Sequence, residues 1–219
     1  MLFLMLMVGT WTCASAQTKK VPVLGDSYST FIGVIPANYA SFYPNDRNDV
    51  TEVEQTWWSL YTKAKGYTLE KNDSWGGTTI CGTGYGRMDT SRSNFISRVD
   101  SLGNPDIIFV FGGTNDSWAN SPLGEPKYEA WTTTDLYQTF PAACHMFDYL
   151  KKWNPGTKII FLSNSELKKE FYVGMQEICR HYDIYFLQLK KIGKQSGHPN
   201  IEGMEAIAEQ IIQFINQSH

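Results

Sequence analysis

The chain has 219 residues, 42% hydrophobic and 19% charged, which suits one domain with a sizeable core and argues against intrinsic disorder. Nineteen Lys and Arg against 22 Asp and Glu give a net charge of -3 with no long basic run, which argues against a nucleic-acid backbone as the main partner. Four cysteines without metal-like spacing argue against a zinc site or a disulfide framework.

The chain opens with an apolar run from Leu2 to Val8, followed by Ala14-Ser15-Ala16 before Gln17, a small-residue cleavage pattern. This predicts a signal peptide over 1–16 that is cleaved, leaving a single domain over 17–219 that is periplasmic or secreted. The run is too short to span a bilayer, so no stable membrane insertion is expected after cleavage. Cleavage removes Cys13 and leaves Cys81, Cys144 and Cys179, of which Cys144 and Cys179 fall in helical patterns and read as core residues.

Val21-Pro22-Val23-Leu24 reads as a short apolar strand running into a tight Gly25-Asp26-Ser27 turn. Residues 30–50 lack periodicity and are rich in Tyr, Phe, Pro and Asn, the kind of long insert that often lines a site. A helix is predicted over 51–64, with Thr51 and Glu54 as a capping box, Val53, Trp57, Leu60 and Ala64 at helical spacing, and Gly66 as its end. Trp57 and Trp58 are adjacent, so one faces the core and the other looks elsewhere. A weak strand over 67–72 delivers the chain to Trp75-Gly76-Gly77-Thr78-Thr79, where two glycines permit a turn with N–H groups free to face a ligand. An amphipathic helix is predicted over 91–102, with Phe95, Val99 and Leu102 inward and Arg92 and Arg98 in solvent.

Residues 105–111 form the strongest strand, continuously apolar and so buried on both faces as in a parallel sheet. It ends at Gly112-Gly113-Thr114-Asn115-Asp116, placing polar groups where open α/β sheets put their ligands. A second irregular loop covers 117–131. A helix over 134–153 carries Leu136, Phe140, Ala143, Phe147 and Leu150 as a stripe, with Pro141 marking a kink or a late start. A strand over 158–162, a helix over 165–182, a strand over 184–189 and a last helix over 202–215 complete the chain, with Gly197-His198-Pro199-Asn200 before the last helix. Alternating strands and helices predict a three-layer α/β/α sandwich with a largely parallel sheet.

A serine is a weak nucleophile at neutral pH and needs a base in hydrogen-bond reach and donors for the oxyanion. The segments around Gly77, Asn115 and His198 can supply these to Ser27. Asp26 and Asp116 read as architectural, bonding nearby backbone N–H groups. His145, within a helix, and His181, at a helix end, read as structural. Trp75, Trp118, Trp131, Tyr39 and Tyr43 fall in or near loops that can ring Ser27 and suit stacking on sugar rings, or that simply pack.

Taken together and in order, Gly25-Asp26-Ser27, Gly77 before Thr78-Thr79, Gly113-Thr114-Asn115-Asp116 and His198-Pro199 resemble the four blocks of the SGNH hydrolases, also called GDSL esterases and lipases. The resemblance implies a flavodoxin-like, mostly parallel five-stranded sheet. It implies Ser27 as nucleophile, His198 as base, an oxyanion hole from the Ser27 N–H, the Gly77 N–H and the Asn115 side chain, and no metal or other cofactor. One position departs from the family pattern: the aspartate three residues before the histidine is replaced by Gln195. Gln195, a main-chain carbonyl around Ser196, or an acid such as Glu202 are the candidates for orienting His198. The reading is an exported serine esterase removing a short acyl group, most simply acetyl, from a small-molecule or glycan ester. The alternatives are a lipase or acyl thioesterase, or a glycan-binding member impaired by the change at Gln195.

Overall fold

A computed structural model describes residues 18–103 and 105–217; the predicted signal peptide lies outside them. Five strands, β1 (Lys20–Gly25), β2 (Thr68–Ser74), β3 (Ile107–Phe111), β4 (Lys158–Ser163) and β5 (Tyr185–Gln188), form one parallel sheet in the order β2-β1-β3-β4-β5. Central β3 is buried along its whole length, as its unbroken apolar sequence requires. Its side chains alternate between two cores: Ile108 and Val110 enter one, Ile107, Phe109 and Phe111 the other. Each such fully buried side chain contributes about 1.5–3 kcal/mol of transfer free energy.

Helices α1 (Trp57–Lys65) and α5 (Ile201–Gln217) cover the Phe109 face, while α3 (Thr139–Trp153) and α4 (Lys169–His181) cover the other, with the short α2 (Thr114–Trp118) following β3. The three-layer α/β/α sandwich read from the sequence is the architecture found. Near the C-terminus β6 (Lys194–Gln195) and β7 (His198–Pro199) add a small antiparallel hairpin.

Several predicted boundaries shift. The first helix starts at Trp57; before it lies a 3-10 turn over Val53–Gln55 whose capping box is Glu52 with Gln55, not Thr51 with Glu54. Gly66 ends α1 in the left-handed conformation, as expected. Trp57 and Trp58 are both buried, because both indole N–H groups donate to Ser29, one to its hydroxyl and one to its carbonyl. The segment after Ser27 thus packs across the start of α1. Pro141 sits in the first turn of α3, where its missing N–H costs no helical bond, so it marks a late start rather than a kink.

The predicted helix over 91–102 is instead turns over 91–95 followed by a 3-10 segment at Ile96–Ser101. Phe95, Val99 and Leu102 are buried as the pattern required, but Arg98 is only 3% exposed instead of solvated. Its guanidinium donates to the carbonyls of Ser93, Asn94, Asp73 and Gly25 and to the Thr78 hydroxyl. The ends of β1 and β2 thus supply acceptors that outweigh its exposure to water. Cys81, Cys144 and Cys179 are buried and free.

Candidate active site

β1 stops at Gly25, where a Cβ would stand 2.5 Å from the Ser74 hydroxyl, so only glycine lets the chain pass β2 closely. Asp26 then caps a 3-10 turn at Ser27–Ser29, its Oδ1 accepting the Tyr28 N–H at 3.0 Å. The turn presents Ser27 at the carboxyl end of the sheet, between β1's two neighbours, where the strand order changes direction. Burial pushes the Asp26 carboxyl up to about 7, against the Tyr28 N–H, which lowers it.

His198 Nε2 lies 2.9 Å from Ser27 Oγ, and its Nδ1 lies 3.0 Å from the Ser196 carbonyl oxygen. A carbonyl only accepts, so the proton belongs on Nδ1 and the Nε2 lone pair faces the serine. Burial lowers the His198 pKa below its ordinary value; the Ser196 carbonyl acts against this, while Arg47 and Lys194 add to it. The ring is therefore neutral at neutral pH, as a base must be. Phe42 stacks on it, with ring centroids 3.4 Å apart and planes 7° from parallel.

The hairpin that carries His198 turns through Ser196 and Gly197, with φ of 50° and 74°. Two successive left-handed residues are the signature of the tight hairpin turn that follows strand twist. Side chains from elsewhere pin it: Tyr28 donates to the Gly197 carbonyl and Tyr43 to the Pro199 carbonyl, each at 2.7 Å. The buried Asn48 amide donates to the Gln195 and Pro199 carbonyls, both at 3.2 Å. Gln195 does not orient the histidine. Its Oε1 accepts the Asp49 N–H at 2.9 Å, because in the folded hairpin that unpaired donor lies within its reach. Of the three candidates, the Ser196 carbonyl is the one in contact.

The Gly76-Gly77 turn runs beside Ser27. Gly76 donates to the Ala40 carbonyl at 2.7 Å, whereas the N–H groups of Gly77 and Ser27 find no acceptor among the described residues. Gly77 has φ of 79°, a conformation that keeps the turn tight. From the first turn of α2, Asn115 Nδ2 donates to the Thr78 carbonyl at 2.9 Å, and its Oδ1 accepts the Tyr85 hydroxyl at 2.8 Å. Asp116, next in sequence, is fully buried and receives the N–H groups of Ile80 and Cys81 and the Thr139 hydroxyl. Both aspartates are thus architectural, as expected. Asp116 binds N–H groups across the fold rather than in its own turn.

Ser27, Gly77, Asn115 and His198 all line one open cavity of about 270 Å³. Its remaining walls include Phe42, Tyr85 and Trp118. Of the loop aromatics singled out in the sequence, Trp118 alone lines it. Trp75 stacks on Tyr39, Tyr43 is buried beneath the histidine hairpin, and Trp131 packs edge-on against His145. The exposed His181 stacks on Tyr128, and neither it nor the half-buried His145 lines the cavity, so both read as structural. Phe42 and Tyr85 were missed by the sequence reading: each sits in irregular chain, where no period shows which way a side chain faces. A serine hydroxyl on a neutral imidazole, with free N–H groups alongside, is equipped for acyl transfer.

The family model GDSL-like Lipase/Acylhydrolase matches residues 19–215. A candidate GDSL-like lipase from Bacteroides ovatus is 48% identical and superposes with a TM-score of 0.91, the match covering 92% of this chain and 100% of that one. A second, from Bacteroides uniformis, is 46% identical with a TM-score of 0.89 over 91% and 96% of the two chains. An acetyl xylan esterase from Butyrivibrio proteoclasticus shares the fold at 18% identity and a TM-score of 0.60, over 94% of this chain and 65% of that one. No curated protein sequence matches significantly. The motif blocks meet at one cleft on the expected fold, and the family match spans the domain that builds it: the chain belongs to the GDSL-like lipase/acylhydrolase family.

Proposed function

We propose that this protein is an exported serine esterase that removes short acyl groups, acetyl above all, from a carbohydrate or similarly polar alcohol. The observation that carries the reading is the Ser27 Oγ to His198 Nε2 contact of 2.9 Å, with the other ring nitrogen committed to a carbonyl. His198 takes the hydroxyl proton as Ser27 attacks the ester carbon, and the oxyanion is received by the Ser27 and Gly77 N–H groups and the Asn115 amide. The C–O bond then breaks, and His198 returns its proton to the leaving alcohol. A water, deprotonated by the same ring, releases the acid and restores Ser27.

The missing aspartate affects charge rather than tautomer. In serine proteases, exchanging the acid for its amide lowers turnover about 10⁴-fold, partly through the wrong tautomer. Here an acceptor-only carbonyl selects the right tautomer and leaves only the imidazolium uncompensated by a carboxylate. A Ser27-His198 dyad is the machinery this supports.

The acyl preference rests on size: a cavity of about 270 Å³ is at the small end for ligand sites. The polar-alcohol preference rests on Trp118 and Tyr85 in the cavity wall, both partly exposed flat rings that suit stacking on a sugar ring. Export rests on the apolar run and small-residue site before Gln17. The test is acetate release from acetylated xylo-oligosaccharides beside a series of p-nitrophenyl esters of increasing acyl length. Acetate release, with rates falling beyond butanoyl, supports the reading. A preference for octanoyl and longer esters would replace it by the lipase or thioesterase alternative.

A further inference from the structure

Tyr85 stands at the tip of an irregular excursion between β2 and β3, and it is 43% exposed although its ring lines the cavity. The excursion is tied down at its base. Gly82 donates to the Leu136 carbonyl, the Thr83 hydroxyl to the Tyr137 carbonyl, and Ser121 to the Thr83 carbonyl. Its tip closes on itself, with Gly84 donating to Met88 and Arg87 to Gly84, and Gly86 in the left-handed conformation. A rigid base and a short closed tip deliver one phenol to one acceptor, Asn115 Oδ1.

That acceptor belongs to the Asn115 amide, which lines the cavity. One Nδ2 hydrogen goes to the Thr78 carbonyl, so rotating the amide by half a turn would set two carbonyl oxygens against each other. Thr78 therefore decides which end is the donor. The phenol does a second thing. By donating to Oδ1 it draws electron density from the amide, and hydrogen bonds in such a chain strengthen one another by about 10–30% per bond. The second Nδ2 hydrogen, the one left for an oxyanion, gains most when negative charge develops opposite it. Burial and the nearby Asp26 and Asp116 carboxylates raise the Tyr85 pKa, which keeps the phenol protonated and donating across the working pH range.

We infer that Tyr85 is a positioning residue of the oxyanion site, holding and polarising the Asn115 amide through its hydroxyl rather than touching the reacting atoms. The inference rests on the esterase reading. It assigns the Tyr85 hydroxyl a transition-state role and no part in ground-state binding, which separates it from the stacking role of its ring.

The test is a double-mutant cycle on kcat and KM for p-nitrophenyl acetate, with wild type, Tyr85→Phe, Asn115→Ala and the double variant, and Ser27→Ala as the background. Tyr85→Phe keeps the ring and removes only the hydroxyl. Expected is a fall in kcat of about five- to twentyfold with KM nearly unchanged, the worth of a hydrogen bond felt mainly in the transition state. Asn115→Ala should cost about 10²–10³ in kcat, and adding Tyr85→Phe to it should cost almost nothing more. An equal loss from Tyr85→Phe in both backgrounds, or a rise in KM alone, would overturn the inference by showing that the phenol meets the substrate directly. Thermal melts of the single variants separate misfolding from these outcomes. Where Asn115→Ala does not fold, affinity for a phenylboronic acid, which presents an oxyanion mimic on Ser27, replaces the cycle: Tyr85→Phe must weaken it while leaving product-alcohol inhibition unchanged. A wild type no faster than Ser27→Ala overturns the esterase reading itself, and the inference with it; Ser27-dependent turnover with no coupling overturns the inference alone.

Discussion

At the scale of single residues, the site turns on how one imidazole is held. Gln195 was the natural candidate from the sequence, because it occupies the position of the usual acid, yet its side chain goes to Asp49. The Ser196 carbonyl, one of the three candidates named from the sequence, is the group in contact, and only the folded hairpin decides among them. Burial lowers the His198 pKa, with Arg47 and Lys194 helping. In the proposed mechanism the free base is the active form, so kcat/KM is expected to rise as pH increases through that lowered pKa and then stay level. Its acid limb is expected below the ordinary histidine value of about 6.5. Gln195→Ala should leave that limb in place, since its amide does not touch the ring. A limb above about 7, or one displaced by Gln195→Ala, would mean that a negative charge or the amide itself stabilises the imidazolium.

At the scale of elements, apolar period was the reliable guide and polar residues the unreliable one. Phe95, Val99 and Leu102 are buried as their spacing demanded, although the chain that carries them is mainly 3-10 turn. Helical spacing reports a shared face; it does not report which hydrogen bonds close the turns. Arg98 was placed in water because charged side chains usually lie there. The buried carboxyl ends of β1 and β2 could not be read from the sequence, and their carbonyls are what draw it in. The buried Arg98 also pairs with Asp73 at 3.4 Å and donates to Thr78, which follows the Gly76-Gly77 turn. Arg98→Met leaves those acceptors unpaired, and the expected loss is about 3–5 kcal/mol of folding stability, read as a lower urea midpoint with little change in slope. A loss under about 1 kcal/mol would show that water or Lys71 replaces it.

At the scale of the whole molecule, the sheet and its layers were legible because four apolar segments and the weaker strand at 67–72 alternate with helical patterns and leave one compact solution. The site was legible as far as it lies at strand ends: Ser27 after β1, Gly77 beyond β2, Asn115 after β3. The histidine hairpin was legible only by its place in the ordered blocks, since two-residue strands carry no period. The cavity walls were not, because Phe42 and Tyr85 come from irregular chain whose path is set by tertiary bonds such as Gly76 to Ala40 and Thr83 to Tyr137. The result is a cleft whose chemistry comes from the strand ends and whose shape comes from the inserts.

Ser27-dependent ester hydrolysis is the claim on which the rest depends. Turnover of p-nitrophenyl acetate by the mature protein, beside Ser27→Ala prepared identically, measures it most directly. Expected is saturable turnover by wild type and a fall to background in the variant, about 10³-fold or more when the nucleophile is removed. Indistinguishable rates in the two proteins would contradict the account.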